Sequence, residues 1–113
     1  MIYLVATLTI KPGFLPDFID AARTCIEATR QEPGCISYDL HQSQTDENTL
    51  VFVERWEDQA SLDGHFNAEH FKVWREAGGP YFLSRKIEIV EMATMPMSSP
   101  RNVGEITWAL PSR

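Results

Sequence analysis

The sequence predicts a single α+β domain, in which an antiparallel sheet carries helices. Four segments rich in β-branched and aromatic residues read as strands, and segments with helical spacing of apolar residues lie between them. Pro-Gly pairs or polar turns separate most of these elements. At 113 residues, the chain has room for one domain.

The first strand and helix occupy the N-terminal third. Residues 2–10 contain no turn former and are predicted as a strand, which Lys11-Pro12-Gly13 ends. Pro16 fits the first turn of the helix that follows. The residues of this helix that recur at helical spacing, and are therefore expected to pack on the sheet, are Phe18, Ala22, Cys25, Ile26 and Thr29.

A hairpin follows the Glu-Pro-Gly break at residues 32–34. Residues 35–45 and 49–56 are predicted as strands, and the short polar link between them predicts an antiparallel pair. The second of these strands is apolar on both faces over residues 50–53, Leu-Val-Phe-Val. Because helices are expected on one face only, a second subunit is expected to cover the other.

The second half of the domain contains two short helices and a last strand. Residues 59–66 and 68–77 are predicted as helices, with Asn67 as the N-cap of the second, and residues 85–94 as the fourth strand. The resulting order, β-α-β-β-α-β, is the split pattern of the ferredoxin-like fold. The chain becomes rich in Pro and Ser from Pro96, which predicts a domain over residues 1–95 and a C-terminal arm over residues 96–113.

Composition limits the classes of function. Apolar residues make up 43% of the chain and charged residues 23%, as in soluble folded proteins. The net charge of −6 argues against nucleic-acid binding, which needs clustered Lys and Arg. No apolar stretch approaches the length of a membrane span. Cys25 and Cys35 lack the spacing of a zinc site and are expected to be free thiols in a cytoplasmic protein.

Two motifs carry a resemblance to a known family. Residues 32–40, Glu-Pro-Gly-Cys-Ile-Ser-Tyr-Asp-Leu, resemble a helix-to-strand motif of the antibiotic biosynthesis monooxygenase family. Residues 53–58, followed by Leu62, His65 and the pair His70-Phe71, are similar to its second motif. The resemblance covers residues 2–94. It implies a homodimer whose two sheets close an α+β barrel, with a pocket between the sheet and the helices of each subunit.

The resemblance implies several activities, since one fold supports many reactions. Some family members oxidise quinols or polyphenolic intermediates with O2 and use neither metal nor flavin; others are isomerases of small phosphorylated sugars or haem-degrading oxygenases. The first interpretation is therefore a monooxygenase of a quinol-like small molecule that needs no cofactor. The alternatives are an isomerase of a small oxygenated metabolite, in which His65 and Glu54 shuttle a proton, and a non-catalytic ligand-binding dimer.

The candidate site follows from strand parity and from the resemblance. Phe52, Glu54 and Trp56 share one face of the third strand by the period-two rule, and the resemblance assigns this face to the pocket. The resemblance places a His at this point of the pocket, which makes His65 the candidate catalytic residue, since a neutral imidazole in an apolar pocket can take the proton of a phenol. The residues expected in the substrate pocket are Phe52, Glu54, Trp56, Phe66, His70, Trp74 and Tyr81.

Each candidate also has a structural interpretation. The aromatic residues could belong to the core, and Glu54 on an apolar face must be either paired or a base with a raised pKa. His65 and His70 are five residues apart with Asn67 between them, which argues against a metal pair on one helix. No metal is therefore expected. A pocket too small for a monocyclic aromatic would rule out the monooxygenase.

Overall fold

The computed structural model describes residues 1–92 and confirms the α+β, ferredoxin-like fold class. A short 3-10 turn, Gly79–Tyr81, precedes the last strand. The helices and strands are β1 (Ile2–Ile10), α1 (Leu15–Thr29), β2 (Cys35–Gln42), β3 (Thr49–Trp56), α2 (Gln59–Phe66), α3 (Glu69–Gly78) and β4 (Phe82–Glu91).

The four strands form one sheet in the order β2-β3-β1-β4, in which every neighbouring pair is antiparallel. The register places Ala6 of β1 opposite Phe52 of β3 and Ile87 of β4. Residues that lie opposite one another point to the same face of a sheet. Side chains from three strands therefore converge beneath the helices.

The two faces of the sheet differ in cover. Leu4 and Leu8 on one face of β1 are buried under the helices, whereas Val5 on the other face is only half-buried. Strand β3 repeats this alternation, since Leu50 is buried and Val51 is not. The predicted two-faced apolar strand is therefore present, and in a single chain one of its faces lacks a helical layer.

Some element boundaries differ from the prediction. Strand β2 ends at Gln42 and not at residue 45, because the Ser43 hydroxyl accepts hydrogen bonds from the backbone N–H groups of Thr45 and Asp46 and closes a turn. The prediction for Asn67 was wrong. It is the C-cap of α2, where its side-chain amide donates to a backbone carbonyl 3.0 Å away, and the chain reaches α3 through extended backbone at the next residue.

Other predictions concern features outside the sheet. Cys25 and Cys35 are free thiols. Among residues 1–92, no helix combines the length and the apolar character that crossing a bilayer requires. The domain boundary at residue 95 and the C-terminal arm over residues 96–113 lie outside the described residues.

Candidate functional site

A cleft lies between the sheet and the helices. Its floor comes from β1, where Leu4, Ala6 and Leu8 point toward the helical layer. Ile87 of β4 is the fourth aliphatic side chain in the lining. Its walls are six aromatic side chains: Tyr38, Phe52, Phe66, Phe71, Trp74 and Phe82. Glu54 and Arg85 are the charged groups in the lining. An apolar cleft with few polar groups is typical of sites for small, flat ligands.

The cleft is narrow in this conformation. The cavity volume of the cleft is about 40 Å³. One buried water needs about 10–15 Å³ by this measure, whereas ligand pockets span roughly 300–1,000 Å³. The cleft therefore has room for a few waters, and a monocyclic aromatic can enter only if wall side chains move.

Glu54 is the acidic group of the cleft. Its position on β3 gives it the same parity as Phe52 and Trp56, so it points to the helical side of the sheet. It is only 4% exposed, and one oxygen accepts a hydrogen bond from the indole N–H of Trp56 over 3.1 Å. Burial raises the pKa of Glu54 to about 7, because one neutral donor does not replace the lost hydration. This carboxyl group can therefore exchange a proton near neutral pH.

Trp74 supplies an unused donor. Its side chain is 8% exposed and lines the cleft, packing edge-on against Phe52 with the ring centroids 5.5 Å apart. Its indole N–H is buried and has no hydrogen-bond partner within residues 1–92. A buried donor without a partner carries a penalty of about 1–3 kcal/mol. A ligand oxygen in the cleft could relieve that penalty.

A second polar cluster, the Glu32–His65–His70 cluster, lies apart from the cleft lining. One oxygen of Glu32, Oε2, is 2.8 Å from Nδ1 of His65 and 2.6 Å from Nε2 of His70. Because a carboxylate can only accept, both imidazoles donate their N–H to it. Burial lowers the pKa of His65, which favours the neutral ring, and with Nδ1 donating to Glu32 the nitrogen without a proton is Nε2.

His65 lies behind the aromatic wall. Its ring is fully buried and packs on Trp56 and Phe71, with ring centroids 4.9 and 4.8 Å away. Its Nε2 has no hydrogen-bond partner among the described residues. The cleft lining does not include His65, so a ligand in the cleft as it stands would not touch this nitrogen.

The structure brings together four of the seven predicted pocket residues: Phe52, Glu54, Phe66 and Trp74 line the cleft. The other three lie elsewhere. Trp56 is fully buried and bonded to Glu54, and His70 bonds to Glu32. Tyr81 stacks on the ring of Phe14 with the centroids 5.4 Å apart.

Several cleft residues were not predicted from the sequence. Tyr38 pairs directly opposite Glu54 in the β2–β3 register, so extending the predicted hairpin would have found it. Burial holds its pKa far above the usual value, which keeps the phenol neutral. Arg85 and Ile87 reach the cleft because β4 pairs with β1, and the sequence has no local signal for that placement.

Comparisons with known proteins support the same assignment as the fold. The sequence model of the antibiotic biosynthesis monooxygenase family matches residues 1–77. The chain is 36% identical over 88 residues to the Synechocystis protein sll1783, covering 78% of this chain and 59% of that protein. It therefore spans less than two thirds of that relative.

Two further relatives match over nearly their full length. The Bacillus subtilis protein named "Putative monooxygenase YcnE" is 33% identical over 90 residues, covering 80% of this chain and 94% of that one. The crystal structure of PA3566 from Pseudomonas aeruginosa superposes with a TM-score of 0.76 at 31% identity, covering 82% of this chain and 94% of that one. The family match over residues 1–77, together with these relatives, shows that the chain belongs to the antibiotic biosynthesis monooxygenase family.

Proposed function

We propose that the protein is a monooxygenase that oxidises a quinol-like or polyphenolic small molecule with O2 in the cleft between sheet and helices. One observation carries this proposal: Glu54, a carboxyl group with a pKa of about 7, lies in an aromatic cleft that suits a flat ring. A general base is most effective when its pKa is close to the working pH. The family supports a monooxygenase in general terms and leaves the substrate open.

The proposed reaction starts with proton transfer. Glu54 takes the proton of a substrate hydroxyl, and the phenolate is a far better electron donor than the phenol. The phenolate transfers one electron to O2, and the two radicals combine at a ring carbon to form a peroxide. Cleavage of the O–O bond leaves one oxygen on the ring as a carbonyl, and the other leaves as water with the released protons. The substrate supplies all four electrons, so the reaction needs no other reductant.

The base expected from the sequence is His65, and that role stays a prediction. We propose Glu54 instead, since Glu54 lines the cleft and His65 does not. In the proposed reaction Glu54 is the proton acceptor and the indole N–H of Trp74 binds a ring oxygen. Both groups lie in the same apolar lining, where hydrogen bonds are stronger than in water.

The narrowness of the cleft sets a requirement for this proposal. A substrate ring must displace wall side chains, and the half-buried ones are Phe66, Phe71 and Phe82. Side chains with partial exposure change rotamer on fast timescales. The proposal therefore expects a ligand to widen the cleft by moving these rings, with β1 and β3 unchanged.

The same narrowness favours a second candidate function, a non-catalytic protein in which these rings are simply core. The isomerase has less support. Binding of a phosphorylated substrate is favoured by several basic side chains in the pocket, whereas the described lining of this cleft contains one, Arg85.

We also propose that the protein is a homodimer. Val5 and Val53 lie opposite each other on the face of the sheet away from the helices, and both are half-buried in one chain. A second copy packed on this face would remove them from water. Val53→Asp should then yield monomers by light scattering, whereas Thr24→Asp on the exposed side of α1 should not. A monomeric unaltered protein would contradict this part of the proposal.

The function is tested by oxygen uptake. Metal-stripped protein is mixed with a panel of hydroquinones and polyphenols under 18O2, and the label in the product is measured. We expect uptake with at least one compound and one labelled oxygen atom in each product molecule. Uptake without labelled product would show an oxidase and contradict the proposal. No uptake with any compound, combined with binding of the same compounds, would favour the non-catalytic candidate.

A further inference from the structure

The Glu32–His65–His70 cluster has the composition of a metal site. Three possible ligand atoms, Oε2 of Glu32, Nδ1 of His65 and Nε2 of His70, lie within 4.8 Å of one another. Each comes from a different part of the fold: the segment after α1, helix α2 and helix α3. A set of ligands held by three separate elements is fixed by the tertiary structure.

The break between α2 and α3 creates this arrangement. Helix α2 ends at Phe66 and α3 begins at Glu69, so the two histidines lie on different helices. Their rings are 6.2 Å apart between centroids. The expectation of no metal rested on the five-residue spacing along one helix. That argument does not apply to two separate helices, with Glu32 as the third group.

We propose that Glu32, His65 and His70 bind a divalent transition-metal ion of the Zn2+ or Co2+ type, with water in the fourth position. Two imidazole nitrogens and one carboxylate oxygen are a common ligand set for such ions. Metal–ligand distances of about 2.0–2.2 Å require ligand atoms roughly 3.3 Å apart. The present N–O separations of 2.6 and 2.8 Å would have to widen by about 0.5–0.7 Å.

Binding changes the position of a proton on the rings. Each imidazole now donates a hydrogen bond to Glu32 from the nitrogen that would bind the ion, and on binding that nitrogen gives up its proton, which for His65 moves to the other ring nitrogen. The ion then neutralises the carboxylate and joins the three side chains. In His65 the proton moves to Nε2, a buried nitrogen that has no hydrogen-bond partner among the described residues. Nε2 therefore changes from an unpaired acceptor to an unpaired donor, and the number of unpaired buried groups stays the same.

The ion has a route from solvent. The side chain of His70 is 26% exposed and that of Glu32 is 13% exposed. A groove open to solvent is lined by Glu32, Pro33, Asp58 and Ser61, among others. Glu54, the proposed base of the cleft, is not part of this cluster. The metal site therefore goes beyond the proposed function and can be tested separately from it.

The test uses untagged protein stripped of metal. Zn2+ is titrated by calorimetry and Co2+ by its visible absorption, which reports tetrahedral coordination. We expect one ion per chain. Removing one ligand in His70→Gln or Glu32→Gln should weaken metal binding at least about tenfold. Even residues that only hydrogen-bond to a metal ligand change metal affinity about 10–100-fold when they are replaced. His41→Gln is the matched control, because His41 is exposed on β2.

The affinities of the variants decide whether the cluster binds metal. Loss of affinity in His70→Gln and Glu32→Gln, with unchanged affinity in His41→Gln, would support the site. Binding by the unaltered protein that is no tighter than binding by His70→Gln would overturn it. His70 is partly exposed, so this variant should keep its fold and decide the question even if Glu32→Gln unfolds. Oxygen uptake by metal-free protein is a separate result and does not bear on this site.

Discussion

Two carboxylates in different regions of the molecule, Glu54 in the cleft and Glu32 in the cluster, are surrounded in different ways. Glu54 has one neutral donor, the indole of Trp56, and burial raises its pKa to about 7. Glu32 accepts from two imidazoles, His65 and His70, at 2.8 and 2.6 Å. Burial leaves Glu54 as a carboxyl group that can exchange a proton, whereas Glu32 holds two imidazoles in place.

The comparison also separates two kinds of function in one small domain. The cleft would carry the oxidation, and the Glu32–His65–His70 cluster would fix His65 and bind an ion. If this division is correct, substitutions at Glu54 and at Glu32 should affect different measurements.

The largest expected effect is on turnover. Glu54→Gln keeps the shape of the side chain but removes the base, and general bases contribute about 100- to 10,000-fold to rates. We expect kcat for the best substrate to fall by about 100-fold or more. Glu32→Gln should change kcat far less, because Glu32 does not line the cleft. Equal losses in the two variants would remove the distinction between the regions.

The second effect is on stability as pH changes. The pKa of Glu54 rises from 4.5 to about 7 on folding, so the folded state keeps a proton that the unfolded chain releases. Its contribution to stability is therefore fully present below pH 4.5 and is lost as pH rises through 7. At about 1.4 kcal/mol per pH unit, the protein should lose about 3 kcal/mol relative to Glu54→Gln across this range.

Urea unfolding of both proteins at several pH values measures this difference. Glu57→Gln is the control, because Glu57 is exposed one residue beyond β3. A constant difference between Glu54→Gln and the unaltered protein from pH 4 to 8 would contradict the assignment of a raised pKa to Glu54.

A third effect concerns the cluster. Glu32→Ala leaves the N–H groups of His65 and His70 without their acceptor, and each unpaired buried group destabilises the folded state by about 1–3 kcal/mol. We expect a loss of about 2 kcal/mol in the free energy of unfolding, since His70 can turn to water. Glu32→Gln retains one acceptor and should lose less. Equal stability of Glu32→Ala and the unaltered protein would show that the hydrogen bonds are not formed in solution.

The smallest effect is on substrate binding. Trp74→Phe removes the unused indole donor of the cleft and keeps an aromatic ring. One hydrogen bond contributes about 0.5–1.5 kcal/mol, so KM should rise about 2- to 10-fold with little change in kcat. Val73→Ala, on the exposed side of α3, should leave both constants unchanged. An unaltered KM in Trp74→Phe would remove Trp74 from the site.

The fold was largely predictable because its signals are local. Alternation along residues 2–10 and 49–56 gave both strands their exact bounds, and helical spacing together with the flanking breaks located the helices. The end of β2 was missed because a single hydroxyl, that of Ser43, closes a turn that alternation alone does not reveal.

The site was only partly predictable. Parity on β3 assigned Phe52 and Glu54 to the helical side of the sheet, and both line the cleft. Glu32 and His65 are 33 residues apart and meet only through the packing of the segment after α1 on α2. No periodicity encodes that contact, although Glu32 lies in the first family motif and both histidines belong to the second. The sequence therefore assigned Glu32 no role, although it is the centre of the second cluster.

The pH dependence of oxygen uptake by metal-free protein tests the central claim most directly. If the ionised form of Glu54 is the base, kcat/KM should rise about tenfold per pH unit below 7 and level off above it, as follows from a pKa of about 7. Glu54→Gln should be slow, with no such rise. A profile that is flat from pH 5 to 9, or one that Glu54→Gln retains in full, would show that Glu54 is not the base.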